Sequence, residues 1–193
     1  MFRRVRQGSV AVVLTLLLGS LAACSGDSGD EEPETPDNDS GKAAAIETTT
    51  KVATVRGRLR PPQRRALVSA VTPVVDGWID AAHVAGEWPR SIGKEAWAGF
   101  TPDAAALAAK DRALTSAAEI SEQVDSVTAT RRVVRYDVLA AGGRARGVTA
   151  RVVLDYDTTG EVEKAVQVRG RLLLTPTEDG WKIFGFDLTE GER

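Results

Sequence analysis

The chain has 193 residues, 42% of them hydrophobic, 27% charged and 5% aromatic, with a formal net charge of −2. These values suit one domain or two small ones and exclude a collagen, a coiled coil or a wholly disordered chain. A single cysteine, Cys24, and a single histidine, His83, exclude a disulfide framework and leave almost no room for a Cys/His zinc site.

Residues 1–7 carry Arg3, Arg4 and Arg6 and no acid. Residues 10–23 (VAVVLTLLLGSLAA) form an apolar run broken only by Thr15, Gly19 and Ser20. A basic start, a short apolar stretch and small residues at its end predict a secretory signal peptide over 1–23. The run falls short of the ~20 apolar residues that span a bilayer core, which weakens the alternative of an uncleaved signal anchor. The tetrad Leu21-Ala22-Ala23-Cys24 resembles the bacterial lipobox, whose cysteine sulfur is diacylated as the preceding peptide is removed. That resemblance makes Cys24 the lipid attachment site and the mature N-terminus, on the outer face of a cell membrane. Two acyl chains supply the stable anchoring that one does not, at about 0.8 kcal/mol per buried methylene.

Residues 25–42 (SGDSGDEEPETPDNDSGK) contain no large apolar side chain and seven acids, from Asp27 to Asp39. Such a stretch cannot bury enough surface to offset its chain entropy, so a disordered linker is expected over 24–50. As a flexible coil the acidic part reaches roughly 20–25 Å, and like-charge repulsion together with Pro33 and Pro36 extends it. Beyond the linker, residues 43–193 hold 21 bases and 20 acids. That balance and the expected location outside the cell leave no case for nucleic acid.

The folded domain is expected over 51–193. Residues 51–60 read as a short strand or an extended lead-in. Pro61-Pro62 then opens a helix over 63–84, with Leu67, Val71, Val74, Trp78 and Ala82 on one face and Pro73 set to kink or divide it. Residues 85–100, with Trp88, Pro89, Trp97 and Phe100, read as a loop with a short helix. Thr101-Pro102-Asp103 is a helix start, and a helix to about residue 118 would present Leu107, Asp111, Leu114 and Ala118 together.

From residue 130 the period changes to two. Val134, Tyr136 and Val138 alternate with Arg131, Arg135 and Asp137. After a Gly142-Gly143 hairpin turn, Val148, Ala150, Val152, Leu154 and Tyr156 repeat the even pattern. A turn at residues 157–160 leads to Val166, Val168, Leu172 and Leu174, opposed by Gln167, Arg169 and Arg171. Asp179-Gly180 turns once more into a last strand over 181–188. Four such strands predict an antiparallel meander with its even face buried under the helices, an α+β arrangement.

N-terminal helices on a curved antiparallel sheet, ending in the Gly180–Asp187 strand (GWKIFGFD), resemble the NTF2-like cone-shaped α+β superfamily. The similarity covers about residues 63–188. It implies a pocket between the helices and the concave face, but no particular activity, because that scaffold hosts isomerases, dehydratases and inert binding modules alike.

Such a pocket would draw on the inward, even strand positions, where only Arg132, Tyr136 and Tyr156 are polar. A buried tyrosine is more often a core residue than a catalyst, and Arg132 reads equally well as a solvated strand end. Asp80 and His83, three apart on the first helix, could share a face, where the carboxylate would orient the imidazole as a general base; a surface histidine is the plainer reading. Trp78 and Trp97 add aromatic walls, as Trp88 and Trp181 could, with core packing as the default. Asp155 and Asp157 read as turn residues or as a cation site. Arg56, Arg58, Arg60, Arg64 and Arg65 form a basic run that is either a solvated surface facing the acidic linker or a contact for anionic headgroups.

The candidate pocket is therefore Trp78, Asp80, His83, Trp97, Tyr136 and Tyr156, with no cofactor or metal called for. The first functional expectation is a non-catalytic module, membrane-bound through Cys24, that binds an envelope protein or a small apolar ligand. The alternative is an enzyme of the isomerase, dehydratase or hydrolase type acting on a small apolar substrate through Asp80, His83 or Tyr136.

Overall fold

Residues 46–193 are described by a computed structural model. The expected signal peptide, the tetrad that resembles a lipobox and the acidic stretch of the expected linker lie outside the described residues.

The elements run β1 (Thr49–Arg56), α1 (Pro61–Ile79), a π-helical extension (Asp80–Val84), a 3₁₀ turn (Lys94–Trp97), α2 (Pro102–Lys110) and α3 (Arg112–Thr115). Then come β2 (Val124–Ala141), β3 (Arg144–Gly160), β4 (Ala165–Thr177) and β5 (Gly180–Glu192). The fold is α+β, with helices packed on one face of a five-stranded sheet in the order β1-β2-β3-β4-β5. Strands β2 to β5 form the expected antiparallel meander. β1 is the departure: it pairs parallel to β2, so the sheet is mixed. Parallel neighbours need a long crossover, and the whole helical layer between Arg56 and Val124 supplies one.

The even positions do face the helices. Val134, Tyr136, Val138, Val148, Ala150, Val152, Leu154, Tyr156, Val166, Val168, Leu172 and Leu174 are all buried in one cluster with Leu67, Val71, Val75, Trp78 and Ile79 of α1. Gly142 and Gly143, at φ 61° and 74°, make the tight turn between β2 and β3. Both central residues sit left-handed, which matches the twist of the flanking strands.

Four expectations need correction. The linker expected over 24–50 ends sooner, because Thr48 bonds Asp76 and Arg132 and β1 already begins at Thr49, so the domain starts ahead of residue 51. Pro73 lies inside α1 and does not divide it. The proline is exposed, so the carbonyl it leaves unbonded meets water, and the helix continues past it. The hydrogen-bond pattern changes only at Asp80, whose carbonyl accepts from Ala85 N at 2.8 Å. Next, β3 runs on through residues 157–160, because Thr158 is buried and bonds forward to Val162 O and Lys164 N at 2.8 and 2.9 Å. The turn therefore falls after Gly160. Finally, Leu107 and Leu114 are 55% and 42% exposed, and Ala104, Ala108 and Thr115 are the buried residues of α2 and α3. The break at Asp111 (φ −97°, ψ 43°) ends the single helical face that the sequence pattern implied.

The outer edge of β5 is covered at one point. Thr101 N donates to Ile183 O at 2.8 Å and Ile183 N to Gly99 O at 3.0 Å, so the segment before α2 shields an edge that would otherwise template pairing.

Candidate functional site

The end of α1 is built in steps of four. Leu67, Val71, Val75, Ile79 and His83 fall on the core side, so the helix carries its histidine into the apolar layer. His83 is fully buried, its ring 5.1 Å from that of Trp78 in an edge-to-face arrangement and 6.0 Å from that of Tyr156. Neither of its nitrogens has a hydrogen-bond partner among the described residues. Burial first, then the charge of Arg90, lowers its pKa from 6.5 to about 3, so the ring is neutral.

Asp80 points elsewhere. Arg132 Nη1 donates to its Oδ1 at 2.7 Å, while Arg132 Nη2 lies 3.3 Å from Asp76 Oδ1. Thr48 closes the cluster, accepting from Arg132 Nε at 3.0 Å and donating to Asp76 at 2.6 Å. Arg132 is thus a buried ion-pair residue and not a solvated strand end. The Asp80–His83 dyad is not formed.

Tyr136 is a core residue whose hydroxyl lies 2.9 Å from Thr72 Oγ1; burial raises its pKa to about 12. Tyr156 is also in the core, with its hydroxyl unpartnered among the described residues, and burial first, then the Glu190 charge, pushes its pKa upward. Trp78 packs in the core and donates from Nε1 to Thr115 O at 3.0 Å. Trp97 is buried beside a separate cleft of about 280 Å³ with Ile92 and Ala105. The six candidates therefore do not line one cavity: Asp80 alone reaches the main cleft. Asp155 and Asp157 lie within β3, where Gln167 and Arg193 respectively bond them at 2.6 and 2.9 Å. Among the described residues no group of three or more His, Cys, Asp or Glu side chains is placed to hold a metal ion.

That cleft, of about 700 Å³, opens between the π-helical turn and the start of β2. Val84, Trp88, Val127, Ala129 and Ile46 supply its apolar walls, and Asp80, Glu87, Asp125 and Arg132 its charges. Trp88 is held by its Nε1 bond to Val84 O at 3.3 Å and by the Arg90 guanidinium, 4.5 Å from the ring centroid. The inward position of Val127 and Ala129 follows from a bulge: Ala129 faces Tyr156 and Arg131 faces Asp155, so Thr130 is the extra residue and the parity changes there. Nothing in the local pattern marks that bulge.

A second cleft, of about 320 Å³, lies against the ends of β4 and β5 and is lined by Leu114, Ala117, Ile120, Glu119, Lys164 and Glu190 among others. Glu190 Oε2 is buried with no partner among the described residues. Burial, then the charge of Glu119, raises the Glu190 pKa to about 7, with Lys164 opposing.

No protein-family model matches this chain, and neither does any curated protein or solved structure.

Proposed function

We propose that the chain is a bacterial lipoprotein held by a diacylated Cys24 on the outer face of the cell membrane. Its NTF2-like domain is a non-catalytic module that binds a small apolar ligand or an envelope protein in the cleft beside Trp88. One observation supports this above the others: the carboxylate that a general base would need, Asp80, is ion-paired with Arg132, while an open cleft with apolar walls stands next to it. Ligand pockets combine such walls with a few fixed polar groups. The enzyme alternative loses its own supports, since His83 and Tyr136 are core residues away from that cleft.

Two measurements test the reading. Mass spectrometry of membrane-extracted protein should find Cys24 as the N-terminus with two acyl chains, and Cys24→Ser should accumulate as an unprocessed precursor. An unmodified thiol defeats the anchor. Native protein purified from its membrane should also carry a co-purifying ligand or partner that Val127→Trp, which fills the cleft, releases. Equal retention by both proteins would remove the cleft from the function.

A further inference from the structure

Seven arginines from two separate stretches of sequence meet at one end of the sheet. β1 runs parallel to β2, so Arg56 at its end stands beside Leu139 near the end of β2. The β2–β3 hairpin turns at that same end, where Ala141 faces Arg144. Leu139 pairs with Gly147 and Ala140 with Ala145, which leaves Arg146 as a bulge residue between them. Gly57 passes so near this strand that a Cβ on it would lie 2.0 Å from Ala140 O. The rest of the basic run, up to Arg65, leaves from here into the first turns of α1. All seven arginines are exposed, and none forms an ion pair with another described residue.

The arrangement runs against two local preferences. Cations at a helix N-terminus oppose its dipole, and α1 has no acid in its first turn. Like charges gathered without partners repel one another. Arg64 alone has a structural task, its Nε donating to the carbonyl of buried Leu59 at 3.0 Å; the other exposed heads form no ion pair, and local rules broken without a folding gain point to function. Beside Arg56 and the bulge residue Arg146, Leu139 stands 56% exposed. Bases around an exposed apolar side chain suit a surface that meets anionic headgroups and dips into the acyl boundary.

We propose that this end of the domain, the run 56–65 with Arg144, Arg146 and Leu139, docks on the anionic phospholipid headgroups of the membrane. The inference rests on the reading of Cys24 as a membrane anchor. Between Cys24 and Thr49 the chain can extend to roughly 80 Å, and β1 spans only about 26 Å, so the basic end can turn toward the bilayer.

The test uses the chain from residue 24 with Cys24→Ser, so that no acyl group contributes. It is sedimented with phosphatidylcholine vesicles containing a third of phosphatidylglycerol, and with phosphatidylcholine alone. Binding should require the anionic lipid and weaken with added salt. Arg144→Gln with Arg146→Gln should bind about 30-fold more weakly. Arg151→Gln with Arg171→Gln removes the same charge from the outer sheet face, beyond the ~10 Å screening length, and should leave binding unchanged. Melting midpoints of both variants are compared first, so that lost binding is not lost fold. Equal binding to neutral vesicles, or equal losses from the two pairs, would overturn the proposal. An unmodified Cys24 in native protein would sink the anchor while leaving this measurement intact.

Discussion

Arg132 Nη1 donates to Asp80 Oδ1 at 2.7 Å, and this bond ties the end of α1 to β2 across the mouth of the main cleft. The guanidinium side chain is 7% exposed, while the carboxylates of Asp76 and Asp80 keep 29% and 42% of their surface. One charge is buried against two partners that still reach water.

Removing that charge should destabilise the domain, but less than breaking a fully buried pair does. Arg132→Met should cost about 2 kcal/mol, below the 3–5 kcal/mol of an enclosed pair, because the orphaned carboxylates hydrate. Arg132→Lys should recover only part of this, since one ammonium cannot serve Thr48, Asp76 and Asp80 in the fixed fork of a guanidinium. Urea unfolding midpoints of the two variants measure both values. A loss below about 0.5 kcal/mol for Arg132→Met would reduce the cluster to an ordinary surface ion pair.

The two faces of the sheet should respond in opposite ways. Leu154 is fully buried, so Leu154→Asp puts an unpaired charge into the core and removes a large apolar contact. The domain should unfold or be degraded. Arg151 is exposed on the other face and bonds Asp137 Oδ2 from Nε at 2.6 Å. Arg151→Asp leaves Asp137, 22% exposed, without its partner and sets a second carboxylate beside it, so it should cost about 1–3 kcal/mol, less than the unpaired charge and lost contact at Leu154. Val152→Asp and Arg169→Asp should repeat the contrast. Thermal midpoints decide, and equal damage from both faces would mean that the outer face is also covered.

Gly170 in β4 has φ +147°, and a Cβ there would lie 2.0 Å from Asp187 O, a backbone atom that cannot move aside. Gly170→Ala should therefore cost about 3 kcal/mol or more, the strain of the conformation plus the displacement of β5. Gly142→Ala, at φ +61° with open space around it, should lose only the roughly 1–2 kcal/mol of a left-handed alanine. If the two glycines prove equally tolerant, the β4–β5 pairing is looser than its register implies.

The register of the meander was legible because one buried face imposes a period of two on every strand, as Val152, Leu154 and Tyr156 display. The pairing of β1 was not, since a parallel neighbour across the helical layer leaves no local mark. Val127 and Ala129 were hidden by the bulge at Thr130, which reverses inside and outside. Arg132 looked like a solvated strand end because its partner Asp80 lies 52 residues away in sequence. His83 was open to a better reading: steps of four from Leu67 reach it through Val71, Val75 and Ile79, whereas the spacing to Asp80 suggested a dyad. Local spacing shows which residues can meet, and only tertiary pairing decides which carboxylate is already taken.

Two buried groups should shape the pH dependence of stability with opposite signs. His83 has its pKa lowered from 6.5 to about 3, first by desolvation and then by Arg90. Between those values the unfolded chain takes up a proton that the folded one refuses. Stability is therefore lost as pH falls through that window, by at most about 1.4 kcal/mol per pH unit. Glu190 has its pKa raised from 4.5 to about 7, first by desolvation and then by Glu119. Here the folded protein keeps a proton that the unfolded chain has released, so stability is lost as pH rises from 4.5 to 7. That slope is shallower, because part of Glu190 still touches solvent. The two contributions offset each other where the windows overlap. His83→Leu should uncover the Glu190 slope, leaving the variant more stable near pH 5 than near pH 7. Glu190→Gln should uncover the His83 slope and make the domain progressively weaker below about pH 6, near the ordinary pKa of the imidazole. Urea midpoints across this range measure both. If Glu190→Gln leaves the profile of the parent protein unchanged, the carboxyl titrates in contact with water and the second cleft is more open than its buried Oε2 implies.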